Sequence, residues 1–379
     1  MKRDFVLVWL SLVFWGIGEG AFFYFQPIYL QELGAAPLLI GSVLGLGGLA
    51  MTLSHIPAGF LADRIGRRPL LWAAWLIGLV ASCLMAAATS IEVFSAGLVL
   101  YSFTSFVVAP LNSYLTHARG RLSVGRALTL ISFGFASGAT LGPFIGGLLG
   151  SAFGLRSVYF AATLLFLIST VLIFFIHPQP LEPHDGRPPF RTLFANQHYR
   201  NFLSLSFLVF FVLYLPQPLT PNFLQNERML PLTYIGLLGS LGSLGNALFN
   251  LILGQLSPRI GFFLAQASVL FFSLLIWRGE NLFWYGVALV MLGGYSAARA
   301  HASAQIRSFV ESHQMGLAYG IGEAVASLSL FLAPPLAGWL YSVRADLIYP
   351  VSVGLIGLGL FLSQRLVPST SLEALPVQE

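Results

Sequence analysis

Three ionisable side chains stand deep inside long apolar runs of this 379-residue chain: Glu19, Arg299 and Glu323. A charged group in hydrocarbon costs about 2.5–3.5 kcal/mol or more unless it is paired or faces water, so each is a functional residue by default. Glu19 lies about 14 residues into the first run, roughly 20 Å from its start at about 1.5 Å per helical residue, between Gly16, Gly18 and Gly20. A carboxylate there can take up and release a proton or hold a cationic cargo. The bland alternative is a protonated carboxyl bonded to a neighbouring backbone, serving packing alone. No strand precedes the glycines, so their spacing is not a nucleotide-binding loop. Arg299, near the end of the tenth run, and Glu323, near the start of the eleventh, match in depth and can pair, either as a structural bridge or as a coupling switch. His301, close to the end of the tenth run, is expected to be solvated or to cap its helix, and His55 in the second to bond a backbone carbonyl.

Composition says what must position these groups. The chain is 56% hydrophobic and 9% charged, where a soluble domain carries about 25% charged residues, and its mean hydropathy is +0.81. That excludes a soluble globular enzyme, a nucleic-acid binder and a disordered chain. The pI near 9.5 does not imply a nucleic-acid partner, because the basic residues are spread through short loops. A single cysteine, Cys83, excludes internal disulfides and cysteine-based zinc sites. No His-Glu-x-x-His, Ser/His or Asp/Asp constellation is present, so neither enzyme chemistry, nor a metal, nor a cofactor is expected.

A spanning helix needs about 20 mainly apolar residues. Twelve such runs are read, at about 5–30, 38–62, 69–89, 93–116, 127–150, 157–177, 201–224, 233–256, 262–277, 282–304, 317–341 and 347–364. The first follows Lys2 and Arg3 like a signal peptide, but it is too long, carries Glu19 and lacks a small-x-small site, so an uncleaved first helix is expected. Ten-residue alternating segments, the mark of a membrane barrel, are absent. With the N-terminus inside, only Arg156, Arg228, Arg278 and Arg344 of the 19 basic residues fall outside, so both termini are expected on the cytoplasmic side of the cell membrane. The Pro-rich, charged stretch 178–200 reads as a cytoplasmic linker between six-helix bundles at 1–177 and 201–364, with a tail at 365–379. Pro216, Pro218 and Pro221 predict a broken or kinked outer half of helix 7.

The halves repeat each other. Leu30-Gln31, Pro37 and Ile40-Gly41 recur as Leu224-Gln225, Pro231 and Ile235-Gly236. Gly59, Leu61, Arg64, Ile65 and Gly66 recur as Gly254, Leu256, Arg259, Ile260 and Gly261, and Pro143 and Gly147 as Pro334 and Gly338. Two similar bundles in the same orientation imply a pseudo-two-fold axis along the membrane normal and a central cavity, an architecture suited to alternating access.

Between helices 2 and 3 lies Gly59-Phe60-Leu61-Ala62-Asp63-Arg64-Ile65-Gly66-Arg67-Arg68-Pro69. It resembles the helix 2–3 loop motif of the major facilitator superfamily at every position that defines it. Gly59 permits close helix approach and Gly66 a tight turn. Asp63 can face a helix N-terminus or an arginine across the contact between halves, closing one side as a gate; the arginines Arg64, Arg67 and Arg68 either join the gate or only fix topology. The second copy has Pro258 in place of Asp63. Helix 5 carries Gly138, Gly142, Pro143, Gly146 and Gly147, which looks like the helix 5 motif of the superfamily's drug and metabolite exporters, or is a packing seam with no directional meaning. The end of helix 1, Gln26 to Gly34, is also similar to the exporter branch. Helix 4 departs from it, since Leu98 to Phe106 holds no arginine.

The resemblance implies an all-α polytopic protein with the superfamily fold, twelve transmembrane helices in two pseudo-symmetric six-helix bundles. It implies a cavity lined from helices 1, 4, 7 and 10, with candidates Tyr24, Gln26, Asn112, Tyr114, Tyr214, Gln217, Asn222, Tyr295 and Ser296 beside Glu19, Arg299 and Glu323. The activity implied is secondary transport, with proton-coupled efflux of a bulky, partly apolar compound first and a sugar or organic-anion carrier second. The partners expected are a small-molecule cargo, protons and the lipid bilayer. No nucleic acid and no second copy are expected, and the energy source is a proton-motive force. A non-transporting sensor or scaffold is the third reading, expected to carry an appended domain that the short tail does not supply.

Overall fold

Several helices start at a side-chain cap or at a proline, which brings no amide that needs a partner. Ser90, Ser123, Asn196 and Asn281 accept from the amides of Val93, Arg126, Tyr199 and Trp284, the side-chain capping expected at helix N-termini. Gly66, at φ 86° and ψ 168°, makes the turn between two long helices that a residue with a Cβ would resist. The computed structural model describes residues 3–179, 193, 195–307, 309–310 and 315–366, with backbone alone at 56–64, 109, 315–316 and 366. Most of the expected linker and nearly all of the tail lie outside these residues, as do the side chains of Asp63 and Arg64 and the surroundings of Gly59.

The first six crossings run through α1 (Arg3–Phe23), α2 (Gln26–Glu32), α3 (Pro37–Ile65), α4 (Arg67–Ala87), α5 (Ile91–Phe103), α6 (Val108–Ala118), α7 (Val124–Phe153) and α8 (Leu155–Phe174). The last six run through α9 (Gln197–Tyr214), α10 (Thr220–Asn226), α11 (Leu232–Leu253), α12 (Pro258–Arg278), α13 (Leu282–Met291), α14 (Gly294–Ile306), α15 (Met315–Val343) and α16 (Ile348–Leu366). Among the described residues nine helices are long and apolar enough to cross a bilayer, and the bent stretch from Ile91 to Ala118 makes a tenth. The pairs α9–α10 and α13–α14 stand where the sequence places crossings 7 and 10. Counted as one crossing each, they bring the total into line with twelve.

Crossings 1, 4, 7 and 10 are all interrupted, although the sequence signals a break only in the seventh. In crossing 1 the break at Tyr24 and Phe25 precedes Pro27, whose missing amide and ring stop the helix from running straight on. Crossing 4 bends by 43° where a 3₁₀ turn at Thr104–Val107 precedes Pro110. Crossing 7 opens at Leu215–Leu219 around Pro216 and Pro218, and crossing 10 at Leu292 and Gly293. Local donors take up freed carbonyls. Thr104 Oγ1 donates to the Tyr101 carbonyl at 2.7 Å, Thr220 Oγ1 to Pro216 at 2.6 Å and Gln217 Nε2 to Leu213 at 2.7 Å.

Within the first bundle, Gly138, Gly142 and Gly146 form an i, i+4, i+8 stripe against helix α1; a Cβ at Gly142 would sit 2.6 Å from the Ala21 amide nitrogen. Pro143 and Gly147 point the other way, onto Leu232 and Gly236 of the second bundle. The helix 5 motif is thus two packing seams on two faces of one helix. A matching inter-bundle seam joins α3 to α15, where Gly41, Gly45 and Gly48 meet Pro334, Phe331 and Leu330. Asp4 pairs with His177 at 2.9 Å, so the first bundle begins and ends on one side, called here the termini face; in the second bundle Arg259, at the start of crossing 9, bonds the Gln364 carbonyl at the end of crossing 12.

The four arginines on the opposite, far face are all engaged. Arg156 donates to the carbonyls of Ala86 and Ala87 at the end of α4. Arg228 donates to those of Ile276 and Trp277, the equivalent point at the end of α12. Arg344 bonds Asp346 at 2.6 Å, and Arg278 lies over the Trp277 ring. Hydrogen bonds to charged groups contribute about 1.5–3 kcal/mol. We expect Arg156→Ala and Arg228→Ala each to lower the melting temperature in detergent by several degrees, additively because they cap separate bundles. Arg278→Ala, which loses only an exposed ring contact, is expected to change it little.

Candidate functional site

The breaks in crossings 1 and 7 leave short outer helices whose polar residues meet across the axis. Asn222 Nδ2 donates to the Pro27 carbonyl at 3.0 Å and to Gln31 Oε1 at 2.8 Å. Asn226 bonds Gln31 in both directions, at 2.9 and 3.1 Å, and reaches Tyr341. With the Phe144 amide to Ser240 Oγ bond at 3.1 Å, these are all the hydrogen bonds that join the two bundles among the described residues, and all lie on the far side. Asn222 therefore belongs to this amide seal, not to a cavity. No local pattern in the sequence foretells the seal, since its partners are 191 and 195 residues apart; the internal repeat, which equates helices 1 and 7, was the available signal.

On the termini side of the seal lies a cavity of about 450 Å³. Its upper wall is Phe23, Tyr24, Gln26 and Pro27 from crossing 1 and Gln217, Pro218, Thr220 and Pro221 from crossing 7. Tyr214, Tyr295, Ser243 and Asn246 line the middle, and Ser296, Arg299, Ser303 and Glu323 the termini-side end. The hydroxyl of Tyr24 is buried without a hydrogen-bond partner among the described residues, whereas that of Tyr295 lies against Arg299. The Tyr214 and Tyr295 rings sit 5.6 Å apart, tilted by 40°. Of the residues expected to line the cavity, Tyr24, Gln26, Tyr214, Gln217, Tyr295, Ser296, Arg299 and Glu323 do so.

Arg299 Nη2 donates to Glu323 Oε2, so the pair expected from matching depth is made. The Glu323 side chain is 46% exposed and that of Arg299 31%, which places the pair at a wetted wall and not in hydrocarbon. Tyr114 is buried in the first bundle, its hydroxyl bonding Asp4 and the His177 carbonyl. Asn112 is exposed and does not line the cavity. His301 is 5% exposed, packed beside Gly261 and against the Leu253 carbonyl at the end of α11, so of the two expected roles it has the helix-capping and not the solvated one. Among the described residues His55 makes no backbone bond of the kind expected; it is half-buried and lies within the fields of Glu323 and Arg299.

Glu19 is half-buried and outside the cavity wall. Its Oε2 accepts from Tyr101 Oη at 2.6 Å and from Trp15 Nε1 at 3.1 Å, and Trp15 also reaches Tyr101 Oη at 3.0 Å. Phe166 stacks on Trp15 with centroids 4.2 Å apart. Behind it Trp75 Nε1 donates to Ser11 and Ser169, both at 2.8 Å. Crossings 1, 3, 4 and 6 are thus tied around one carboxyl whose partners are side chains, not the neighbouring backbone. Of the loop motif, Arg67 bonds His117 at 2.8 Å and Arg68 lies over Trp72, both within the first bundle. Among the described residues no three His, Cys, Asp or Glu groups cluster as a metal site.

Tyr101→Phe removes the shorter bond to Glu19 and is expected to lower the melting temperature by several degrees, hydrogen bonds to charged groups contributing about 1.5–3 kcal/mol. Combined with Glu19→Gln the loss should fall short of the sum; full additivity in thermal melts would dissolve the triad.

The sequence matches the profile of the Major Facilitator Superfamily over residues 8–298 and again over 202–376. It is 29% identical over 289 residues to the multidrug resistance protein MdtG of Escherichia fergusonii, covering 73% of this chain and 71% of that one. To the protein of that name from Salmonella dublin it is 32% identical over 182 residues, 46% of this chain and 45% of the relative, so that alignment spans less than half of the relative's length. In fold it is similar to the crystal structure of a single-residue mutant of the nucleoside transporter NupG. The TM-score is 0.82 at 15% identity, over 97% of this chain and 99% of that one. It is also similar to a bacterial homologue of the human lysosomal transporter Spinster, at TM-score 0.74 and 16% identity over 96% and 97%.

Proposed function

The chain belongs to the Major Facilitator Superfamily of membrane transporters, and on that premise we propose that it exports a bulky, partly apolar small molecule by proton-coupled alternating access. The observation that carries this reading is the 450 Å³ cavity between the bundles, with Phe23, Tyr24, Tyr214 and Tyr295 in its walls and an ion pair at its termini-side end. Few fixed charges and several amide and hydroxyl groups suit cargo held by aromatic contact and adaptable hydrogen bonds. The likeness to relatives named multidrug resistance protein supports the outward direction. Both termini are assigned to the cytoplasmic side by the segregation of arginines, so the state described is open inward and sealed outward. One copy of the chain suffices, since the cavity lies between its own two halves.

Glu19 is the proposed proton carrier. Ionised, it holds crossing 4 to crossing 1 through Tyr101 and Trp15. Protonated, it becomes a weaker acceptor, since charge-assisted bonds are about twice as strong as neutral ones, and the clasp on crossing 4 loosens. Proton uptake from outside would thereby favour cargo release, and its loss inside would restore the clasp and cargo binding. No arginine in crossing 4 shares this task.

A second reading, an organic-anion carrier without proton coupling, is favoured by the exposure of Arg299 at the cavity wall. Everted vesicles carrying an inward-acid proton gradient separate the two. Lipophilic cations should collapse the gradient in the wild type and fail to do so in Glu19→Gln. Collapse at the wild-type rate by that variant would remove Glu19 from coupling. Uptake of organic anions that ignores the gradient and is lost in Arg299→Ala would establish the second reading instead.

A further inference from the structure

Crossings 2 and 11 run antiparallel, in contact through a progression of pairs: Gly41 with Pro334, Gly45 with Phe331 and Gly48 with Leu330. As the contacts advance seven residues along α3 they retreat four along α15. Carried two turns further toward the termini face, the progression brings His55 level with Glu323, on opposite bundles. His55 is half-buried, and no side-chain hydrogen bond joins it to another described residue. Glu323 gives one oxygen to Arg299 and keeps nearly half of its side chain exposed. The glycine contacts run from Gly41 to Gly48, and His55 and Glu323 lie beyond them on the termini side, one on each bundle.

We propose that Glu323 has two partners in the transport cycle, Arg299 of its own bundle while the termini face is open and His55 of the other bundle when that face closes. Bringing crossings 2 and 11 together around the fixed glycine seam shortens the gap between His55 and Glu323. A protonated imidazole then supplies a donor and a positive charge that compete for the carboxylate. The bridge joins the halves on the side that the far-face amide seal leaves unjoined, and it frees Arg299 to face the cavity. The charged groups whose fields reach His55 are Glu323 and Arg299. Crossing 4, packed on the other side of α3, presents Ser105 to Ser54 there, and crossings 1, 3 and 4 bring no described titratable group into reach of the imidazole. The inference rests on alternating access and not on the cargo.

The test reads the opening itself. In a Cys83→Ala background, Ala300→Cys places a thiol on the cavity wall at an exposed position. Its rate of labelling by a membrane-impermeant maleimide, in purified protein and normalised to the unfolded chain at each pH, reports how often the termini face is open. Lowering the pH from 8 to 6 should slow labelling about fivefold, the low end of couplings between two conformations. His55→Gln and Glu323→Gln should each abolish that ratio, and His55→Lys, which stays charged, should label slowly at both pH values. A wild-type rate indifferent to pH, or a His55→Gln protein that keeps the ratio, would overturn the proposal. Because no cargo is present, a protein that passes here yet moves nothing in vesicles counts against the cargo assignment alone.

Discussion

Hydrocarbon offers no hydrogen bonds, so every amide and carbonyl in a crossing must be satisfied within protein or by water in a protected cavity. That constraint decides where this molecule can bend. The interruptions fall in crossings 1, 4, 7 and 10, one in each group of three. They are closed by short-range bonds such as Phe25 amide to Phe22 carbonyl and Gly293 amide to Val290 carbonyl, and by the hydroxyls of Thr104 and Thr220. The breaks in crossings 1 and 7 are covered by each other's polar side chains and by the cavity. Crossings 2, 5, 8 and 11 remain continuous and carry the seams between bundles.

Those seams are built from small residues because lipid gives helices little hydrophobic reason to associate; close backbone contact and polar bonds must supply the attraction. Where Gly147 meets Leu232 and Gly48 meets Leu330, the helices touch through backbone. Such contacts exist over a limited length, since rods that cross must diverge. The far side is consequently sealed while the cavity occupies the diverging side. The same geometry run in reverse about the seam is what a rocking pair of bundles needs.

Charge is distributed under the same constraint. Arg156 and Arg228 lie on the side with few cations, and each ends on the carbonyls of a helix C-terminus, where a cation is favoured. Arg299 and Glu323 neutralise each other at a wetted wall. Glu19 is the exception to pairing by charge. Among the described residues it is held by two neutral donors, Tyr101 and Trp15.

Sequence alone determined the crossings, the duplication and the break in crossing 7. Transfer from water to hydrocarbon is summed residue by residue along about 20 positions, and three prolines act on their own helix. It also brought Arg299 and Glu323 to one depth, because rise per residue is fixed. Tertiary structure decided which groups at one depth face each other. Glu19 found Tyr101, 82 residues away, while Asn222 went to the seal and Tyr114 into the first bundle. The breaks at Phe25, Thr104 and Gly293 were equally illegible, since one proline or glycine is tolerated in a membrane helix and opens it only where neighbours can satisfy the freed backbone. Facing depends on the rotation and crossing of helices packed over long separations, and no local stretch of sequence encodes that.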